Sequence, residues 1–366
     1  MKHGSGEETV HPPIARISLG SFGLAAVLFL QSATFTNPIV PAPAADPWVS
    51  FKDGYYYYCR TSPREPGIIV GKSRDLSQIG NRGTWQPVYT PPPGTAYSKE
   101  IWAPELHFLK DRWYIYFAAD NGKNENHRMY VLESKENDPQ GSYVFRGKIS
   151  DPSDRWAIDG TVLDLGARGM FFVWSGWEGT TNVRQNLYVA PMSDPGTICG
   201  PRVLISTPTE PWETIGTPQV NEGPQILRRG EVIHVVYSAS GSWTEDYCLG
   251  LLTCTDGQVM RPQSWTKRGP VFSKSDQAYG VGHASFTQSP DGTEDWIVYH
   301  GMQRPDGGWG NRSVRAQRFS WDGVYPDFGR PVKPGVAITL PSGTRQEIPP
   351  VLPEPKPRRS SLASLR

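Results

Sequence analysis

Asn221-Glu222-Gly223-Pro224-Gln225-Ile226-Leu227, continued after the turn Arg229-Gly230 by Val232-Ile233-His234-Val235-Val236-Tyr237, is the stretch that decides the fold. A carboxylate opens it, a Gly-Pro pair fixes the backbone behind that carboxylate, and a β-branched and aromatic run follows the turn, which reads as a hairpin with an acid at its mouth. The same grammar recurs four times. Asp46-Pro47-Trp48-Val49 leads through Lys52-Asp53-Gly54 into Tyr55-Tyr56-Tyr57-Tyr58, and Glu105-Leu106-His107-Phe108 leads through Lys110-Asp111 into Trp113-Tyr114-Ile115-Tyr116-Phe117. Asp159-Gly160-Thr161-Val162-Leu163 returns through Met170-Phe171-Phe172-Val173-Trp174, and His283-Ala284-Ser285-Phe286 returns through Trp296-Ile297-Val298-Tyr299.

The leading residues Asp46, Glu105, Asp159, Glu222 and His283 stand 59, 54, 63 and 61 positions apart. A period near sixty exceeds what one hairpin needs and fits a four-stranded sheet with generous loops, the unit of a β-propeller. The expectation is an all-β, five-bladed β-propeller. In such a fold the innermost strand of each blade starts at one mouth of a central channel, so the five leading residues should converge there. Carboxylates so crowded repel one another and part their pKa values, which places a protonated acid beside an ionised base at one pH. Hydrolysis of a glycoside with inversion needs that pair.

Composition supports a globular chain with flat ligands in mind. The 366 residues are 37% hydrophobic and 20% charged, with 13 Trp and 16 Tyr whose rings can stack on sugars, and the net charge of +1 argues against a nucleic acid partner. Lys2, His3 and Arg16 precede the apolar run Ile17 to Leu30, short for a membrane span and the usual length of a signal-peptide core, although Glu7-Glu8 is atypical of its flank. Residues 1–34 are read as that segment, 35–345 as the propeller and 346–366 as a proline-rich basic tail. The expectation is an extracellular protein, with no membrane attachment after cleavage. Cys248 and Cys254 would stand roughly 20 Å apart on one strand, beyond disulfide reach, whereas a turn at Leu249-Gly250 would bring them together. Their pairing stays open, and no zinc spacing is present.

The motifs resemble a known family. Ala45-Asp46-Pro47, Trp102-Ala103-Pro104-Glu105, Ile158-Asp159-Gly160, Asn221-Glu222-Gly223-Pro224 and Gly282-His283-Ala284 are similar, in order, to the five blade-opening motifs of glycoside hydrolase family 43. Ala103-Pro104-Glu105-Leu106-His107 and Asn311-Arg312-Ser313-Val314-Arg315-Ala316-Gln317 resemble its exo-α-1,5-L-arabinofuranosidase branch. The resemblance implies Asp46 as general base, Glu222 as general acid and Asp159 as the carboxylate that orients Glu222 and holds its pKa up. It implies Arg312 as a hydrogen-bond partner of the terminal sugar, with Arg315 and Arg318 as competitors. Trp102 is a candidate sugar platform, and Glu105 a support for the funnel mouth that does not touch substrate. No cofactor is required; an axial structural calcium through His283 and water is the one ion the resemblance implies.

The substrate so implied is α-1,5-linked arabinan or its oligosaccharides, cleaved from the end with inversion by a monomer. Endo-arabinanase or β-xylosidase action could run on the same residues, and a non-catalytic sugar-binding propeller would have lost one of Asp46, Asp159 or Glu222. Asn311-Arg312-Ser313 matches a glycosylation acceptor but is read as unmodified, since a glycan there would obstruct the pocket.

Overall fold

A computed structural model of the chain describes residues 33–345, together with Met1 and Gly4. The apolar run at 17–30 and the tail at 346–366 lie outside the described residues. Those described form strands and a few short 3-10 turns, so the all-β expectation holds.

Three antiparallel sheets have four strands each. The first comprises Trp48–Lys52, Tyr55–Thr61, Ile68–Ser73 and Gln86–Tyr89. The second comprises Lys99–Leu109, Arg112–Asp120, Arg128–Ser134 and Tyr143–Ile149; the last comprises Tyr279–Gln288, Asp295–Met302, Arg312–Asp322 and Tyr325–Asp327. Between them in sequence lies a nine-stranded sheet. It is two antiparallel runs, Ala157–Asp164 to Val203–Ser206 and Gln219–Arg229 to Phe272, joined by a short parallel pairing of Arg184 and Gln185 with Gln219 and Val220. Thr34–Thr36 pairs with Ala337–Thr339, tying the two ends of the described chain together.

The turns do what their residues allow. Asp53-Gly54 and Lys110-Asp111 close their hairpins with positive φ at both positions, 52° and 79°, then 48° and 61°. That twist matches the right-handed twist of the flanking strands.

Apolar side chains pack between successive sheets. Tyr57, Cys59 and Val70 meet Trp113, Ile115 and Phe117, and Tyr116, Met129 and Ile149 meet Trp156, Phe172 and Trp174. Val173 and Leu187 meet Val235 and Leu252, Val236 and Leu251 meet Ile297 and Tyr299, and Trp296 and Val298 return to Val49 and Tyr56. Each fully buried side chain of this size contributes about 1.5–3 kcal/mol. The first strands also touch in turn: Trp48–Lys52, Lys99–Leu109, Ala157–Asp164, Gln219–Arg229, Tyr279–Gln288 and back to Trp48–Lys52. The heads of the repeated hairpins are thereby brought to one place.

All four cysteines are free. Cys248 and Cys254 end one continuous strand, so the turn that would have paired them does not form.

Candidate active site

Each head residue sits where its strand leaves the ladder. Pairing registers break between Trp102 and Glu105, Ile158 and Thr161, Glu222 and Gln225, and Gly282 and Ser285. Positive φ accompanies the breaks, at Asp46 (50°), Ala103 (41°), Asp159 (55°), Gly223 (54°) and His283 (46°). A bulge leaves one residue unpaired and re-aims its side chain, and the left-handed backbone costs a non-glycine residue roughly 1–2 kcal/mol. Gly223 avoids that cost, and a Cβ there would also crowd the His283 ring at 3.2 Å.

Asp46 lies against one guanidinium and two imidazoles. Its Oδ1 lies 3.3 Å from Arg312 Nη1, 3.3 Å from His283 Nδ1 and 3.2 Å from His300 Nδ1. Burial alone would raise the Asp46 pKa, but Arg312 first and His283 after it outweigh burial and hold the carboxyl well below the usual range. The Asp46 amide donates to His300 Nδ1 at 3.1 Å, which assigns that nitrogen as an acceptor and the ring as neutral. Burial, against the pull of Asp46, brings the His300 pKa down to about 4, in agreement. Asp46 is therefore an ionised carboxylate at neutral pH.

Glu222 is the opposite case. It is 8% exposed, and its Oε1 accepts the Tyr247 hydroxyl at 2.8 Å. Burial first, then the charge of Asp46, push its pKa up to about 7, while Tyr247, Arg312 and the Ser242 hydroxyl pull it down. Asp159 accepts the Gly223 amide at 3.0 Å, immediately beside Glu222. Burial, and after it the charges of Glu222 and Asp46, raise Asp159 as well. Buried together, Glu222 and Asp159 retain a proton that Asp46 has lost.

Glu105 is spent elsewhere. It is buried, bonded to the Gln225 amide and 2.9 Å from His107 Nε2. Arg315 is fully buried and donates to the carbonyls of Gln277 and Met302, while Arg318 is exposed and pairs with Glu294. Of the three arginines only Arg312 reaches a head carboxylate.

A cleft of about 300 Å³ opens at Asp46, lined by Arg312, Trp102, Trp309, Arg60 and Pro63. A larger hollow of about 780 Å³, at Thr34–Thr36 and Arg345, is lined by none of the head residues, so chemistry rather than size locates the site. Trp102 stacks on His127 with centroids 3.9 Å apart and donates Nε1 to Glu100 at 3.2 Å. That leaves part of the indole facing the cleft.

His283 lies 6% exposed against Asp46. Among the described residues no three His, Cys, Asp or Glu side chains converge to hold a metal ion. Calcium prefers six to eight oxygens, so an ion at His283 would rest mainly on water, and no step below runs through one.

Four residues of the site went unnoticed in the sequence: His300, Tyr247, Ser242 and Trp309. An ionised carboxylate beside a buried, proton-bearing one, opening on an aromatic cleft, is the equipment of an acid–base hydrolase. Residues 35–325 match the family described as glycosyl hydrolases family 43, and the chain belongs to it. It is 36% identical over 339 residues to an extracellular exo-α-(1→5)-L-arabinofuranosidase of Streptomyces avermitilis, covering 88% of this chain and 69% of that protein. An enzyme of the same name from Streptomyces chartreusis is 34% identical over 281 residues, 75% of this chain and 84% of its own. The crystal structure of an α-L-arabinofuranosidase from Lactobacillus brevis superposes with a TM-score of 0.76 at 33% identity, covering 82% of this chain and 98% of that one.

Proposed function

We propose that this glycoside hydrolase is an inverting, exo-acting α-L-arabinofuranosidase that releases arabinose from the ends of α-1,5-linked arabinan or arabino-oligosaccharides. The observation that carries the reading is the contrast between Asp46, held ionised by the Arg312 guanidinium and the His283 ring that lie against it, and Glu222, buried and kept protonated to about pH 7. Asp46 takes a proton from the attacking water as that water bonds to the anomeric carbon. Glu222 delivers its proton to the departing glycosidic oxygen, and the carbon inverts because water enters opposite the leaving group. Asp159, through the Gly223 amide, fixes the backbone behind Glu222. Arg312 bonds both Asp46 and the hydroxyls of the terminal sugar, and Trp102 supplies an apolar face.

The two antiparallel runs of the nine-stranded sheet are read as separate blades, making five with the three four-stranded sheets. The cyclic packing of the cores supports that count. The enzyme is further proposed to be secreted and to work as a monomer.

Incubation with linear arabinan, with products resolved by size, tests the reading. Arabinose alone from the earliest times is expected. A ladder of oligomers at those times would replace exo with endo action, and cleavage of xylo-oligosaccharides in preference to arabinan would overturn the substrate.

A further inference from the structure

Trp309 is out of place for its kind. The chain has 13 tryptophans, and Trp309 alone is exposed, at 57%, while the other twelve are buried or half-buried. An indole left in water forfeits the burial that stabilises its fellows, so its position calls for a partner.

Its loop is shaped to hold it there. Trp309 lies between Gly307-Gly308 and Gly310, with φ of 61° at Gly308, and a Cβ at Gly307 would strike the Asn311 side chain at 2.6 Å. The indole Nε1 donates to Ser242 Oγ at 3.1 Å, and the edge of Trp243 meets the ring with centroids 6.0 Å apart at 88°. Trp243 in turn is seated over Gly241, where a Cβ would meet its ring at 2.6 Å. Trp309 is thus braced from one side and open on the other, where it lines the cleft with Asp46, Arg312 and Trp102.

The bracing also says which side of the scissile bond it serves. Ser242, which holds the indole, also places its hydroxyl where it lowers the Glu222 pKa, on the side of the proton donor. The proton donor acts on the oxygen that leaves with the departing part of the substrate, so the groups around the donor face that part. We infer that Trp309 is the platform for the leaving-group sugar, a stacking surface for the arabinose unit that departs after cleavage, and that Trp102 serves the other wall of the cleft. The inference rests on the proposed arabinofuranosidase reading and adds to it a residue that selects oligosaccharides over simple arabinosides.

The test compares α-1,5-arabinobiose with methyl α-L-arabinofuranoside, whose methanol leaving group has no face to stack. In W309A the ratio of kcat/KM for arabinobiose to that for the methyl glycoside is expected to fall by about three- to tenfold, the size of one lost aromatic contact, with most of it kept in W309F. The backbone carbonyl that receives Arg312 Nε at 3.2 Å remains in both variants. An unchanged ratio, whether both rates hold or both fall together, would overturn the assignment. Turnover of neither substrate by the unaltered protein would instead defeat the functional reading, and the assignment with it.

Discussion

The Tyr247 hydroxyl donates to Glu222 Oε1 at 2.8 Å, while its ring lies parallel to His300, 5.5 Å away at 5°. One side chain thus touches the group proposed as acid and stacks on the imidazole that accepts the Asp46 amide. Burial keeps the Tyr247 phenol protonated and therefore a donor. A donor favours the charged form of a carboxyl, so Tyr247 opposes the burial that raises Glu222.

Removing that donor should raise the acid further. In Tyr247→Phe the alkaline limb of kcat/KM is expected to move up by about one pH unit, the equivalent of one hydrogen bond to a charged group. The ring stacking is retained, so the fold should be too. A limb that stays put or moves down would show that the contact does not tune Glu222.

In the unaltered enzyme the same limb should fall with one proton near pH 7, because Glu222 must be protonated to act and its pKa is pushed up to about 7. Asp46 lies far lower, so its loss of charge plays no part in that limb. A rate profile rising through pH 8 would contradict the assignment of Glu222 as acid.

Arg312→Met removes the strongest of the charges that hold Asp46 ionised. The Asp46 pKa should rise, carrying the acid limb of kcat/KM to higher pH, and the rate at the optimum should drop by about 100-fold as the sugar contact goes with it. Arg312→Lys should restore the position of the limb more than the rate, since a point charge replaces a fork. An acid limb unmoved in both would separate Arg312 from Asp46.

Glu213 makes a stability prediction. It is fully buried, accepts from the amides of Thr209 and Glu210, Asn221 Nδ2 and the Tyr237 hydroxyl, and pairs with Lys267 at 2.8 Å. Burial would raise its pKa, but Lys267 and the amide donors bring it below the ordinary value. A folded pKa below the unfolded one contributes stability that is fully present above about pH 4.3 and lost as pH falls through the folded value. Glu213→Ala should therefore cost about 3 kcal/mol in urea unfolding at pH 7, and less at pH 3. An equal cost at both would mean that the charge contributes nothing.

Much of this site was legible in the chain because Asp46, Glu105, Asp159, Glu222 and His283 each open the same hairpin, and bulges recur at the last four of them. The partners were not. His300 lies opposite Gly282, one residue beyond the apolar run Trp296–Tyr299, and nothing local sets it against Asp46, 254 positions away. Tyr247, Ser242 and Trp309 stand before or between strands, where no period marks them, and only tertiary packing brings Tyr247 to Glu222 and Trp309 to the cleft at Asp46. Glu105 reads like the other heads in sequence, yet Gln225 and His107 occupy it. The resemblance favoured Arg312, but Arg315 and Arg318 share its strand, and only packing separates the partners of the three.

The central claim is that Glu222 supplies the proton to the leaving oxygen. Glu222→Gln keeps the size of the side chain and removes the proton. Its kcat/KM should be compared with that of the unaltered enzyme on arabinobiose and on 2,4-dinitrophenyl α-L-arabinofuranoside, whose leaving group departs without protonation. The account predicts a loss of about 10²–10⁴-fold on arabinobiose and a far smaller one on the activated glycoside. Near-normal turnover of arabinobiose, or equal losses on both substrates, would contradict it.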